Sequence, residues 1–381
     1  MKMSNIVEYE TISLFELMYK LIEKFEGIVK IGTFFSGIGS PEKALERLKQ
    51  ENIISGYEVM FFCEINPKAA LSYSAIHNEP LSKNKIDITK INGIELPYCD
   101  LWVGGFPCQD ISNAGNRKGF DLNSTTRSSL GWEMLRLISE VKQKPKFIIF
   151  ENVASITGKR FIKTLQLFIS DLEKLGYRYY PEILNSKNFG IPQSRERFFL
   201  VCILGDFYYK FPSGFKLEKS IKDILEKNVD ERYYLSTKNV EINQSKIIVK
   251  NKKRYNQRFV INKSKYLKGG VCGFDTSTKY NQCRRLYSEN GVINTLTASS
   301  IVDGSKIVVC TSLDNNFENI RVRSLTPKES FILMGFTEED YERASNVNSA
   351  TNLYHQAGNS IVVDVMYYIL KELLFDSKNM E

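Results

Sequence analysis

From residue 29 to residue 203 the chain repeats one pattern, a short apolar run followed by a stretch with apolar residues at helical spacing. Strand-like runs fall at 29–35, 57–64, 101–104, 147–150 and 197–203, and helical stretches at 41–49, 67–76, 130–141 and 161–175. Strands that alternate with helices are joined by crossovers, which set the strands parallel and place helices on both faces of one sheet. The expected fold class is therefore α/β, with a doubly wound, Rossmann-like sheet. Such sheets bind ligands beyond the carboxyl ends of their strands, so the residues just after each apolar run are the candidates for chemistry.

The rhythm stops near Gly205. Residues 206–320 read as a smaller, irregular and β-rich lobe, with short β-like stretches at 246–249 and 306–309 and no strong helical run after 227. Helical spacing returns at 327–334 and 361–374, and the last stretch is apolar enough to pack back on the first domain. Ahead of the sheet, Ile12, Phe15, Leu17, Met18, Leu21, Ile22 and Phe25 predict an amphipathic helix over 11–26. The expected division is an N-terminal helical extension at 1–28, a main domain at 29–205 completed by 350–381, and a second domain at 206–349.

Composition narrows the chemistry. A net charge of +8 over 381 residues favours a polyanionic partner, although charge alone sets only non-specific attraction. Between 245 and 268 nine Lys and Arg residues are interleaved with Tyr255, Phe259 and Tyr266. That mixture suits a phosphate backbone and unstacked bases, or equally a solvated basic surface. Seven scattered cysteines with no C-x-x-C pair suggest neither a disulfide framework nor a zinc site, so a reduced, metal-free protein is expected. With only His77 and His355 present, histidine-driven hydrolysis has few members to draw on. Five glutamates in the first 30 residues exclude a secretory leader, and no apolar run reaches the length of a membrane span.

The first strand-like run leads into Phe35-Ser36-Gly37-Ile38-Gly39-Ser40, and Pro41 then opens a helix. Glycines there let the backbone approach a ligand closely. The second run ends at Glu64, an acid that can accept both hydroxyls of a ribose, or simply complement the helix dipole ahead of Pro67. Asp87 is a third candidate, delivered by a short loop before Ile88. Together these suggest an adenosine-type ligand.

The third run is followed by Gly104-Gly105-Phe106-Pro107-Cys108-Gln109-Asp110, which sets a cysteine on a Pro-bounded turn at the sheet edge. A nucleophile belongs there, although a lone cysteine is also a common small core residue. The polar stretch 112–127, rich in Gly, Asn, Ser and Thr, reads as a closing lid. The fourth run ends in Glu151-Asn152-Val153, which brings a carboxylate to the same edge; shielded from water, it can hold and donate a proton. In Gln193-Ser194-Arg195-Glu196-Arg197, strand alternation would turn Gln193, Arg195 and Arg197 to one face, where three donors suit a phosphate or a base carbonyl.

These strings, followed by R-S-L-T-P-K-E-S, M-G-F and A-G-N-S, occur in the order found in the DNA (cytosine-5) methyltransferases, which the chain resembles from near residue 29 almost to its end. The resemblance implies that Phe35, Ser36, Gly37, Ile38, Gly39, Gly105 and Pro107 form a pocket for S-adenosyl-L-methionine. It further implies that Glu64 and Ile65 meet the ribose end, Asp87 and Ile88 the adenine, and Asn359 and Ile361 return to the cofactor. Cys108 would be the nucleophile on C6 of a flipped-out cytosine, Glu151 the acid at N3, and Arg197 the contact to the base carbonyl, with Arg195 and Gln193 holding that surface. Double-stranded DNA would meet Gln109, Ser112, Arg127, Gln193 and Thr297, the last from Thr295-Leu296-Thr297-Ala298-Ser299 in the lobe that corresponds to the target-recognition region.

The departures are the N-terminal helical extension and Ile332-Leu333-Met334-Gly335-Phe336, where relatives often carry Arg and Gln. With no large regulatory domain ahead of the sheet, the expectation is a monomeric bacterial or phage enzyme of the cytoplasm, paired with a restriction endonuclease. A related group that methylates transfer RNA carries a C-F-T string, which is absent here. A DNA-binding homologue without activity is the other alternative, opposed by the intact Cys108, Glu151, Arg195 and Arg197.

Overall fold

The computed structural model describes residues 27–107, 127–235, 240–242, 246–251, 257–275, 285–298, 306–310 and 320–374. The expected extension helix, Cys108, Gln109, Ser112 and the polar stretch after them lie outside the described residues.

Four adjacent parallel strands make up one side of the first sheet: β1 (Ile28–Phe34), β2 (Gly56–Cys63), β3 (Leu101–Gly104) and β4 (Phe147–Val153). β7 (Glu196–Leu204) is antiparallel to β4, and β5 (Tyr177–Asn185), antiparallel to β7 and so running with the other four, completes the order β2-β1-β3-β4-β7-β5. Crossovers run through α1 (Ser40–Gln50), α2 (Pro67–His77), α3 (Gly131–Glu140) and α4 (Ile162–Lys174). The chain steps outward from β1 to β2 and then returns past β1 to β3, so the direction of winding reverses between β1 and β3. At such a reversal the two flanking crossovers diverge and leave a crevice at the strand ends.

The central strands are legible as apolar runs because both of their faces are covered. All of β3 is buried, and its Trp102 meets Phe34 edge-to-face with ring centroids 5.0 Å apart. β5 went unread for the opposite reason. It is the outer strand, and five of its nine residues are exposed. An edge strand has no continuous apolar run to announce it.

The second lobe is more regular than its sequence suggests. Eight short strands pair in the order β8-β16-β15-β13-β12-β11-β10-β9. They are β8 (Tyr234–Leu235), β9 (Val240–Ile242), β10 (Lys246–Asn251), β11 (Gln257–Asn262), β12 (Gly270–Asp275), β13 (Arg285–Ser288), β15 (Lys306–Cys310) and β16 (Ile320–Ser324). A short helix, α5 (Lys263–Lys268), falls within the basic stretch and is capped by Asn262, whose side chain accepts the Lys265 N–H at 2.9 Å. Ile261, Tyr266, Cys272, Leu286, Val308, Ile320 and Val322 make the lobe's own small core.

Four helices follow β16. α6 (Pro327–Ile332) and α7 (Glu338–Ser345) precede α8 (Ala350–Asn359) and α9 (Val363–Leu374). Lys43 of α1 pairs with Asp340 of α7 at 2.8 Å, and Arg343 Nη1 donates to the Ile76 carbonyl at the end of α2 at 2.9 Å. Leu325, Phe331, Met334 and Phe336 share one apolar cluster with β1, α1 and α9. α7 thus packs against α1 and α2, and β16 is the last strand of the second lobe. The turning point is fastened by a buried ion pair, in which Arg323 Nη2 lies 2.6 Å from Glu329 Oε1 and both side chains are almost wholly covered. Among the described residues no helix is long and apolar enough to cross a membrane.

Candidate active site

β1 delivers the glycine loop to the crevice. Phe35, Gly37 and Gly39 all take positive φ (53°, 57° and 80°), which turns the chain sharply from strand to helix. The loop is stapled to the end of β2: Ser36 N donates to the Cys63 carbonyl at 3.1 Å, and Cys63 N donates back to Ser36 Oγ at 3.0 Å. The two glycines serve different needs. A side chain at Gly39 would run into the His77 ring, whereas at Gly37 nothing stands within 4 Å of where a Cβ would be. The second position is open space beside a bare backbone, as close approach to a ligand requires.

Glu64 is pinned over this loop. One carboxylate oxygen accepts the Gly37 N–H at 2.9 Å and the other accepts the Asn66 N–H at 2.7 Å. Burial raises its pKa, and the backbone donors at Asn66 and Gly37 work against that rise. Asn84 holds the neighbouring backbone, accepting from Glu64 N and donating to the Glu64 carbonyl, each at 3.0 Å. Asp87 caps a short turn through the Thr89 N–H and hydroxyl, and the Thr89 hydroxyl is the main cause of its lowered pKa.

Phe35, Ser36, Gly37, Gly105, Asn359 and Ile361 line one cleft, and Glu151 opens onto the same cleft. Residues that are up to 326 positions apart in sequence thus share a single wall. Ile38 and Ile88 are core residues with 0% and 4% exposure; Ile65 is exposed, and none of the three is among the cleft-lining residues. Ser40, which the sequence reading passed over, ties the two ends of the chain together. Its Oγ donates to the Ile361 carbonyl at 2.8 Å and lies 2.7 Å from Ser360 Oγ.

At the reactive end, Glu151 falls within β4. A Cβ on Gly105 would stand 3.1 Å from Glu151 Oε2, so this carboxylate packs on the backbone that leads to Pro107 and Cys108. Arg197 Nε lies 3.1 Å from Glu151 Oε1. Burial raises the Glu151 pKa, opposed by the nearby charges of Arg197 and Arg195. The result is a sheltered acid that keeps its proton to higher pH than an exposed one. Asn152, another residue not singled out from sequence, is buried and donates from Nδ2 to the Phe106 carbonyl at 3.0 Å, which fixes the turn beside Glu151.

Gln193 and Arg195 spend their donors inside the protein. Gln193 Nε2 donates to the Leu333 carbonyl at 2.9 Å, and its Oε1 accepts the Leu296 N–H at 2.8 Å. Arg195 donates to the carbonyls of Leu296, Gly358 and Ser360 at 3.0, 2.9 and 2.8 Å. Of the three donors expected on one face, Arg197 alone reaches the carboxylate of the cleft. Strand β14 (Ile293–Asn294) lies parallel to β6 (Gln193–Ser194), and just beyond it Thr297 is exposed. Arg127 opens the short turn Arg127–Leu130.

Comparison with known proteins places the whole chain. The chain is 36% identical to the type II methyltransferase M2.ScrFI of Lactococcus lactis subsp. cremoris, over 77% of this chain and 71% of that protein. It is 30% identical to the orphan methyltransferase M.SPRI of Bacillus phage SPR, over 93% of this chain and 99% of that one. Among solved structures, the Entamoeba histolytica methyltransferase EhMeth superposes with a TM-score of 0.66 at 21% identity, covering 93% of this chain and all of that one. The S. pombe Dnmt2 methyltransferase does so with a TM-score of 0.63 at 21% identity, over 91% of this chain and 98% of that one. These two show the same fold. Residues 29–374 match the family described as C-5 cytosine-specific DNA methylase, and the chain belongs to that family of enzymes.

Proposed function

We propose that this enzyme transfers the methyl group of S-adenosyl-L-methionine to C5 of a cytosine swung out of a specific duplex DNA sequence, with the Cys108 thiolate adding to C6. The observation that carries the reading is that Glu151, half-buried and paired with Arg197, lines the same cleft as the glycine loop. A proton-bearing group thereby faces the place where a methyl donor would be held.

The cleft fits such a donor. Open space beside the Gly37 backbone leaves room for its amino-acid end, and the Glu64 carboxylate retains lone pairs for ribose hydroxyls. Asn359 and Ile361 would close the pocket from the C-terminal segment. When bound, S-adenosyl-L-methionine supplies an electrophilic methyl group.

The protein's share of the chemistry is to make C5 electron-rich. As the Cys108 sulfur bonds to C6, the ring's electron pair moves toward N3, which takes a proton from Glu151; C5 becomes enamine-like. Arg197 holds the base carbonyl while remaining paired with Glu151. Once C5 has taken the methyl group, loss of the C5 proton to solvent lets the C6–S bond break, N3 returns its proton to Glu151, and the aromatic ring is restored with Cys108 again a thiolate. Reaching C6 within a stacked duplex is sterically impossible, so the base leaves the helix and the stretch 112–127 closes over it.

The second lobe presents Thr297 and the basic stretch at 245–268 to DNA, and Gln109, Ser112 and Arg127 meet the strand beside the extruded base. We place the enzyme in the cytoplasm as a monomer, protecting DNA in a restriction-modification system with a cognate endonuclease. The similarity to a protein named as a type II methyltransferase supports that role.

Incubating the protein with tritiated S-adenosyl-L-methionine and either genomic DNA or transfer RNA tests the reading. Label is expected in DNA as 5-methylcytosine at one recurrent sequence. Label confined to transfer RNA would overturn it.

A further inference from the structure

Gly358 stands in the last turn of α8, yet its φ is not in the left-handed region. Its backbone conformation is open to any residue, and in a helix glycine is disfavoured against alanine. Space explains it. An ideal Cβ at Gly358 would lie 2.5 Å from both the carbonyl carbon and oxygen of Thr297, and closer still to the Ala298 nitrogen. All three are main-chain atoms and cannot swing aside as a flexible side chain would.

The two segments that touch here belong to different halves of the reaction. After Gly358 come Asn359, Ser360 and Ile361, which line the cofactor cleft. Thr297 and Ala298 continue the strand that leaves β14 in the second lobe. Arg195 spans the junction, donating from Nη1 to Leu296 on one side and from Nη2 to Gly358 and Ser360 on the other. Gln193 holds Leu296 from the far side through the Leu296 N–H.

We infer that Gly358 is a positioning residue that sets the distance between the target strand at Thr297 and the cofactor wall at Asn359–Ile361. The inference rests on the reading of Thr297 as part of the DNA surface. With Arg195 as the tie and Gly358 as the zero-length spacer, DNA gripped at Thr297 is indexed directly to the cleft in which the methyl donor lies. A methyl group inserted at 358 has to displace one wall by about an ångström. Ser40 fixes Ser360 and Ile361 on one side, and Gln193 and Arg195 hold Leu296 on the other, so the added methyl group pushes two held segments apart and changes the distance between them.

Gly358→Ala tests this by separating chemistry from binding. With unmethylated plasmid DNA as substrate, kcat is expected to fall about ten- to hundredfold, the usual consequence of an ångström's misplacement. S-adenosylhomocysteine, titrated calorimetrically, should bind within about threefold of wild type, since a difference of that size is small against tenfold per 1.4 kcal/mol. A kcat within twofold of wild type would overturn the inference. So would a loss of S-adenosylhomocysteine affinity in proportion to kcat, which would mean that Gly358 merely shapes the cofactor pocket. If the variant fails to fold, Gln193→Ala frees Leu296 from the other side without touching α8. The same split is expected of it, and unchanged kcat would again overturn the inference. Wild-type DNA methylation, scored in the same plasmid assay, reports separately on the proposed function.

Discussion

Replacing Glu64 with Gln isolates the role assigned to the acid at the end of β2. In the wild type each carboxylate oxygen already accepts one backbone N–H, from Gly37 at 2.9 Å and from Asn66 at 2.7 Å. Each oxygen keeps further lone-pair capacity for a ribose hydroxyl. Glutamine turns one of those oxygens into an amide donor, which cannot accept a backbone N–H and meets a hydroxyl only if that hydroxyl turns to accept. One charge-assisted bond to the ligand is lost, worth about 1.5–3 kcal/mol. At 1.4 kcal/mol per tenfold, S-adenosylhomocysteine should bind about 10- to 150-fold more weakly. Calorimetric titration of both proteins measures this, and thermal unfolding of the free variant gives the cost to the loop itself. Because burial raises the Glu64 pKa, wild-type affinity should also weaken as pH falls through that pKa, a slope that the variant lacks. Affinity within threefold of wild type at neutral pH would refute the ribose contact and leave Glu64 as a staple of the glycine loop.

Three other outcomes follow from the geometry. Arg323→Met strips the partner from the fully buried Glu329 and should cost about 3–5 kcal/mol of stability in chemical denaturation, while a simultaneous Glu329→Gln recovers part of it. Asn152→Ala leaves the Phe106 carbonyl without its buried donor, at about 1–3 kcal/mol, and should lower kcat at least several-fold with little change in S-adenosylhomocysteine affinity. Glu151 keeps its proton above the usual carboxylate range because of burial, so kcat should decline as pH rises through its pKa, and Glu151→Gln should show no such limb. The sign is the same for stability: the folded state binds that proton more tightly than the unfolded one, so the increment is present at low pH and lost as pH rises through the folded pKa.

Sequence alone exposed what repeats and what is covered on both faces. β1 to β4 are buried parallel strands, and the order of the chemistry-bearing strings was readable because each follows such a strand. β5 escaped because an edge strand with a wet face carries little apolar signal. The second lobe was legible as β-rich, with 246–249 and 306–309 falling in β10 and β15, but its sheet was not, because the strands are short and two of the seams, β13 with β15 and β16 with β8, join strands that are not neighbours in the chain. The packing of α7 on α1 and α2 rests on contacts of Asp340 and Arg343 that spacing along the chain does not show.

The site divides in the same way. Glu64, Glu151 and Arg197 announce themselves as charges at strand ends. Ser40, Asn152 and Gly358 do not, since they act on backbone atoms of segments remote in sequence. Their residue types are common and their partners cannot be read from spacing. Gln193 and Arg195 sit between the two groups: visible as polar residues, yet turned inward to carbonyls of Leu296, Leu333, Gly358 and Ser360.

The proposed covalent addition at C6 is open to one direct measurement. Duplex DNA that carries 5-fluorocytosine at the mapped target, incubated with the enzyme and S-adenosyl-L-methionine, cannot lose a proton from C5, so the protein should remain bonded to the DNA through denaturing electrophoresis, with the linkage at Cys108. Cys108→Ala should give no such band. A band of equal intensity from Cys108→Ala, or a linkage mapped to another residue, would contradict the account.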